Sequence, residues 1–350
     1  VKEAVSAPPE IRPRIRRTSM RRKHFAVLAL LIAAMFASIL LSIAIGSKLL
    51  TLEQIWHGLW HATDTEGDII VRDLRLPRTA LAVIAGIALG VAGALMQGHT
   101  RNPIADPVLL GISAGASLSV VASITLLGMT TLAGFVWFGF AGSLLASVTV
   151  YLVSARARGG AAPVTLALTG SAVHALCTAL TAGIVILDQN ALDVLRFWTV
   201  GSVSGRPTGI IADMLPFVAI GLLLAATDAP RLNALSLGED TARALGVRLG
   251  TARLTGMAAI TLLTGAAVAA CGPIGFVGLM ATHIGRALTG PDYRWITGYA
   301  AIIGATMMLC ADVLGRVVAR PGELPVGIML ALLGAPLFIH LLRRRKPVRL

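Results

Sequence analysis

A tandem of long, uncharged apolar segments constrains this chain more than any other feature. The first, Phe25 to Ile45, reads FAVLALLIAAMFASILLSIAI. A helix needs about 20 such residues to cross the hydrocarbon layer of a bilayer. Further apolar runs fall near 79–98, 109–128, 132–154, 164–187, 209–227, 252–271, 275–288, 296–312 and 324–342. The chain therefore reads as an all-α polytopic membrane protein of about ten transmembrane helices. The eighth and ninth runs are short, which points to broken or buried helices inside the bundle.

Composition agrees. Of 350 residues, 56% are hydrophobic and 13% are charged, whereas soluble domains carry about 25% charged residues. The net charge of +13 invites a nucleic-acid reading. Its distribution argues against one. Basic residues crowd the two ends (Arg12, Arg14, Arg16, Arg17, Arg21, Arg22 and Lys23; then Arg343, Arg344, Arg345, Lys346 and Arg349), directly beside apolar spans. That is the positive-inside pattern, with both termini cytoplasmic, and lipid headgroups are the expected contact. The organisation is a basic tail over 1–24, a transmembrane domain over 25–342 and a second basic tail over 343–350. The first apolar run is too long for a signal h-region, so no cleavable signal is expected.

The loops repeat the bias. With the N-terminus inside, the cytoplasmic loops hold Arg101, Arg156, Arg158, Arg231, Arg243, Arg248 and Arg294. The outer loops hold Glu53, Asp64, Glu66, Asp68, Asp73, Asp188, Asp193 and Glu323. Arg72, Arg75, Arg78 and Arg316 then stand out as basic residues on the acidic side. Within the outer stretch 46–78, TLEQIWHGLWHA offers Thr51 as an N-cap before apolar residues at helical spacing, and reads as a short interfacial helix.

Chemistry-bearing motifs are scarce. No GxxxxGK[ST] phosphate loop and no HExxH occur. Cys177, Cys271 and Cys310 lie in apolar runs without a CxxC pair, so neither a disulfide framework nor a zinc site is expected. Ionisable residues inside spans are few: His174, Asp213, His283, Arg286 and Asp312, mostly near span ends. His174 sits deepest and alone, and reads as a hydrogen-bonded core histidine. A proton-coupled carrier needs a relay at mid-membrane, so the energy source is expected in a separate ATPase. An ion-driven secondary carrier is the rival from another class. Gly86/Gly90 and Gly111/Gly115 are small-xxx-small pairs that permit close helix approach. Pro103 and Pro107 require a turn or broken helix at 101–108. The segments 81–115 and 254–286 share a faint pattern, a Gly/Ala-rich span followed by a Pro-Ile element, and run in opposite directions, as in inverted repeats.

Several blocks carry a specific resemblance: RLPR (75–78), RNPIADP (101–107) followed by LGISAGA, WTVGSVSG (198–205), LGEDTARALGV (237–247), GPIGFVGLMATHIGR (272–286), GPDYR (290–294) and ELPVGIMLALLGAPLFIHLL (323–342). In this order and spacing the chain resembles the permease subunit of the iron-chelate (siderophore) and cobalamin uptake family of binding-protein-dependent ABC importers, the FecCD-like type II importers. The likeness runs from about residue 50 to the end and leaves 1–24 outside.

The resemblance implies ten membrane helices per subunit and a site in the bacterial cytoplasmic (inner) membrane. It implies a second permease subunit, identical or paralogous, two cytoplasmic ATPase subunits that bind ATP and Mg, and an extracytoplasmic substrate-binding protein. The chain itself would hold no cofactor, metal or catalytic residue. Arg75, Arg78 and Arg316 correspond to arginines that dock the binding protein, with a headgroup or an intrachain partner such as Asp73 or Glu323 as the alternative. Leu237, Gly238, Glu239, Ala242, Leu245 and Gly246 lie in the coupling-helix region, 237–247, that meets the ATPase. Asn102 and Ile104 match positions narrowing the inner end of the path, and Met96 and Gln97 either line it or pack inside the subunit. Between spans four and five, where family members carry small hydroxyl residues, this chain has Ala162, Pro163 and Val164 before Thr165, so that gate is not carried over. The expected cargo is a ferric siderophore, with cobalamin and haem as alternatives.

Overall fold

A computed structural model describes residues 14–46, 48, 50–60, 65–129, 131–157 and 162–344. Residues 1–13 and 345–350 of the basic tails, Asp64 and Arg158 lie outside the described residues. In chain order the helices are α1 (Arg14–Ala44), α2 (Leu52–Trp60), α3 (Glu66–Ile69), α4 (Leu76–Thr100), α5 (Ile112–Leu127), α6 (Leu132–Arg156), α7 (Pro163–Leu187), α8 (Gln189–Thr199), α9 (Gly209–Leu235), α10 (Glu239–Ala244), α11 (Leu249–Cys271), α12 (Val277–Thr289), α13 (Tyr293–Val318) and α14 (Val326–Arg344). A π-turn, Ile70–Arg75, joins α3 to α4, and a 3₁₀ turn, Pro107–Leu110, precedes α5. No strand occurs among the described residues.

Each of the ten apolar runs coincides with one helix: α1, α4, α5, α6, α7, α9, α11, α12, α13 and α14. Among the described residues, seven stretches are long and apolar enough to cross a membrane, while α5, α12 and α14 are shorter. The ninth run is not short. Its helix, α13, continues unbroken to Val318, because Asp312 and Arg316 inside it neutralise each other at 2.8 Å. The expected interfacial helix is α2. Thr51 caps it by accepting from the Gln54 amide at 3.2 Å, and its Trp56 and Trp60 rings are exposed.

The bundle is built around α4 and α11, which are buried along most of their length and pack on each other and on α9. Apolar burial does not drive helices together in lipid, so close backbone contact must. Glycine supplies it. A Cβ on Gly90 would stand 2.1 Å from the Ala300 carbonyl oxygen, and one on Gly93 2.4 Å from the Gly278 backbone. The Gly86/Gly90 pair thus forms the seam between α4 and α13. Of the second pair, Gly115 packs on Gly142 of α6, but Gly111 has φ +70 and serves as the turn into α5. That conformation, not helix packing, is what position 111 demands of its residue.

Two ends of the bundle matter for function. The first carries the C-terminus of α1 and the N-termini of α4 and α14; it is named here for Arg78. The second carries the C-termini of α4 and α9 together with α10, and is named for Glu239.

Candidate functional site: an arginine cluster and a coupling end

At the Arg78 end, residues far apart in sequence converge. The π-turn presents Arg75 and the first turn of α4 presents Arg78, while α13 supplies Asp312 and Arg316 and the loop before α14 supplies Glu323. Arg78 grips Asp312 through Nη2 at 2.8 Å and Nε at 3.1 Å. Its Nη1 donates to Glu323 Oε2 at 2.6 Å and to Ser204 Oγ at 3.1 Å. Arg316 pairs with the other oxygen of Asp312 at 2.8 Å. Such planar, forked donors match carboxylates well, and the aspartate, itself 1% exposed, is shared between two of them.

Arg75 and Arg316 have a second task. Arg75 Nη1 donates to the carbonyls of Ile43 at 2.7 Å and Ala44 at 2.8 Å. Arg316 Nη1 donates to those of Ser42 at 2.9 Å and Ile45 at 2.7 Å. A helix leaves its last carbonyls without intrahelical partners, and these guanidiniums serve those of α1. Both side chains are consequently buried, Arg75 at 4% and Arg316 at 2% exposure. This corrects the expectation that all three arginines contact a binding protein directly. The donors of all three are engaged inside the chain; Arg78 differs in keeping 12% of its side chain exposed, at the pocket that opens here.

A pocket of about 250 Å³ opens at this end, lined by Lys48, Arg75, Arg78, Ser204, Arg206 and Glu323 among others. Arg206 was not singled out from the sequence. It donates to the backbone carbonyls of Ser202 at 3.0 Å and Cys271 at 3.2 Å, and burial lowers its guanidinium from the ordinary value. Glu323 lies below the usual carboxylate range. Burial alone would raise it, but the Arg78 hydrogen bond, the charges of Arg78 and Arg316 and the Ser204 hydroxyl outweigh that. Among the described residues, Arg78 and Arg316 pair with Asp312 and Glu323, whereas Arg75 and Arg206 donate to carbonyls; with Lys48 also on the wall and Asp73 as the further acid, the pocket carries an excess of positive charge.

At the Glu239 end, the segment 237–247, expected from the resemblance to meet an ATPase, contains the short helix α10. Gly238 before it and Gly246 after it have φ of +107 and +83, a region that favours glycine. Leu237 and Leu245 are exposed, at 64% and 62%, and present an apolar edge. Ala242 is fully buried beneath α10. It anchors the helix from within the expected coupling segment and takes no part in that edge. Glu239 accepts from Arg101 at 3.2 Å and from Arg253 at 2.7 Å.

The loop 101–108 leaves α4 at Arg101, whose φ of +49 is left-handed. Asn102 and Ile104 are exposed on it, and the Asn102 side chain accepts from the Ile104 amide at 3.1 Å. Of the two roles expected for Met96 and Gln97, packing inside the subunit is the one their burial favours. Each is 1% exposed within the subunit core, because α4 is enclosed by α9, α11, α12 and α13. Ala162, Pro163, Val164 and Thr165 begin α7 with no side-chain cap on its first turn.

Beside the loop lies a pair that hydropathy hid. His99 Nε2 meets Asp228 Oδ2 at 2.6 Å, with both side chains buried. The apolar run ended at 227 by sequence, yet α9 continues to Leu235 and carries Asp228 inward. His174 differs from its expected role, since its Nδ1 is buried without a hydrogen-bond partner among the described residues. Among the described residues no three His, Cys, Asp or Glu side chains gather as a metal site.

The family relationship follows this geometry closely in extent. The sequence pattern of the FecCD transport family matches residues 31–344, from within α1 to the end of α14. The ferric enterobactin transport system permease protein FepD of Escherichia coli strain K12 is 42% identical over 323 residues, covering 92% of this chain and 96% of that one. The probable siderophore transport system permease protein YfiZ of Bacillus subtilis strain 168 is 35% identical over 318 residues, covering 91% and 96%. A solved structure, an inward-facing conformation of a putative metal-chelate type ABC transporter, superposes with a TM-score of 0.79 at 26% identity, covering 93% of this chain and all of the other. An all-helical bundle with membrane-length spans and this match along nearly its whole length make the chain a member of the FecCD transport family, a membrane permease subunit of an ABC transporter and not itself an enzyme.

Proposed function

We propose that this permease carries a ferric siderophore into the cytoplasm, driven by ATP hydrolysis in separate ATPase subunits that bind ATP and Mg. Two permease subunits, identical or paralogous, enclose the path, and a substrate-binding protein delivers the chelate from outside. The Arg78 end faces out and the Glu239 end faces the cytoplasm, with both termini inside the inner membrane of a bacterium. Loop charge supports this orientation, because Arg101, Arg156, Arg243, Arg248 and Arg294 gather at the Glu239 end.

The observation that carries the reading is the pairing of opposite chemistries at the two ends. The excess positive charge lining the pocket around Arg78 suits carboxylates on a docking protein, and charge complementarity speeds such encounters. The exposed Leu237 and Leu245 edge of α10 suits an apolar groove on an ATPase. In this reading Arg78 and Arg206 meet the binding protein, while Arg75 and Arg316 hold the end of α1 that frames the pocket. Asn102 and Ile104 border the inner mouth.

The cargo is tested with the assembled complex in ATP-loaded vesicles, using a binding protein charged with radioactive ferric siderophore. Uptake that unlabelled siderophore competes away and cobalamin and haem do not is the expected result. Uptake of cobalamin or haem in preference would reassign the cargo.

A further inference from the structure

We propose that Glu239 is a latch between the coupling helix and the 101–108 loop, and so a positioning residue for opening the inner mouth. This rests on the importer reading above. Three placements on different helices support it.

The first is the carboxylate itself. Glu239 opens α10, and its Oε1 takes Arg101 Nη2 at 3.2 Å and Arg253 Nη2 at 2.7 Å. Arg101 is the first residue beyond α4 and the first of the loop bearing Asn102 and Ile104. One side chain therefore joins the element that would meet the ATPase to the segment that would border the path. Arg243 stands farther off, at 3.7 Å from Oε2, and is already engaged with Asp240 at 2.7 Å.

The second is the turn just behind it. Two residues before Arg101, His99 is held by Asp228 on α9, in a space left by Gly256, where a Cβ would stand 1.8 Å from the His99 Nε2. The last turn of α4 is thus fastened twice to the α9–α10 unit, once in the core and once near the surface. The two contacts differ in kind. The His99–Asp228 pair is 3% and 0% exposed, and the Arg101–Glu239 pair 42% and 26%. Water competes for the second and little for the first. The buried contact acts as a pivot and the hydrated one as the part that opens.

The third is Arg253. It comes from α11, is 18% exposed, and keeps Glu239 paired when Arg101 leaves. Release of the loop strands no carboxylate, so the latch has two permitted positions. Displacement of α10 reaches the loop through Arg101 directly.

The test compares uptake per ATP hydrolysed, in vesicles bearing the full complex, for wild type, Glu239→Gln, Arg101→Gln, the double variant, and Arg156→Gln as a surface control at the same end. Each single latch variant is expected to lower the ratio about threefold, the scale of a partly exposed ion pair. The double variant is expected to match the singles, with Arg156→Gln unchanged. A wild-type ratio in Glu239→Gln, or multiplied losses in the double variant, would overturn the latch. Failure of wild type to couple hydrolysis to uptake would instead strike the importer reading. A second measurement stands apart from transport: the distance between spin labels at Pro103→Cys and Thr241→Cys, with Cys177, Cys271 and Cys310 replaced by Ala. A narrow distribution that Glu239→Gln broadens supports the latch, and equal widths overturn it.

Discussion

Arg75 and Arg316 cap the same helix end: Arg75 holds the carbonyls of Ile43 and Ala44, and Arg316 those of Ser42 and Ile45. The C-terminus of a helix carries partial negative charge, so two cations there are favourable as well as geometrically apt. Asp312 in turn neutralises Arg316 and Arg78. Basic residues that look misplaced by loop charge are therefore the internal framework of the pocket.

Removing either cap should destabilise the chain, unequally. Arg316→Leu leaves Asp312 without one of its buried partners and α1 without two donors, at a cost of about 3–5 kcal/mol. Arg75→Leu removes donors to neutral carbonyls only, at about 1.5–3 kcal/mol. Thermal unfolding in detergent checks the order, with the lower midpoint expected for Arg316→Leu. Equal midpoints would mean that Asp312 contributes nothing to the difference.

Arg78 should matter for docking rather than for folding alone. Arg78→Gln is expected to weaken binding of the substrate-binding protein to the nanodisc-embedded complex by about tenfold at low salt, or ~1.4 kcal/mol. It should also flatten the salt dependence, because screening acts on the charge removed. Affinity measured at two ionic strengths decides; an unchanged salt slope would place docking elsewhere.

Acid should loosen the Glu323 contact late. Its folded value lies below the ordinary 4.5, so the stability it contributes is fully present above 4.5 and is lost as pH falls through the lower folded value. The difference in melting temperature between wild type and Glu323→Gln should stay constant from pH 8 to pH 5, on the order of the range in which carboxylates remain charged. It should shrink only below that. A difference that vanished near neutrality would contradict the pairing with Arg78.

Packing at the α4–α13 seam leaves no room for a methyl group. Gly90→Ala should cost about 1–3 kcal/mol, since the new Cβ meets backbone rather than a flexible side chain. Gly209→Ala, with nothing within 4 Å of its Cβ, should be neutral or slightly stabilising. Melting temperatures of the two variants give the comparison.

How much of this was legible in the sequence depended on range. The apolar runs, the α2 cap at Thr51 and the Gly86/Gly90 seam are local patterns, and each has its counterpart in the structure. The spacing of Asp312 and Arg316 is also local, and could have revealed that α13 continues past residue 312. The convergence of Arg78 on Asp312 and Glu323 is not local, and no periodicity reports it. Asp228 reads as a loop residue because it is a charge at the end of an apolar run; the facing His99, the Thr255 hydroxyl at 3.4 Å and the gap at Gly256 make its burial tolerable. Of their two expected roles, Met96 and Gln97 take the packing one for a related reason. Hydropathy marks a helix as membranous but does not say which helices surround it, and α4 is enclosed on several sides.

The central claim is that the chain conducts cargo but does not supply the energy. Its most direct test is uptake of ferric siderophore into vesicles holding either this permease alone or its complex with ATPase and binding protein. The account predicts accumulation only in the complex, only with hydrolysable ATP, and unaffected by ionophores. Concentrative, ionophore-sensitive uptake by the permease alone would contradict it.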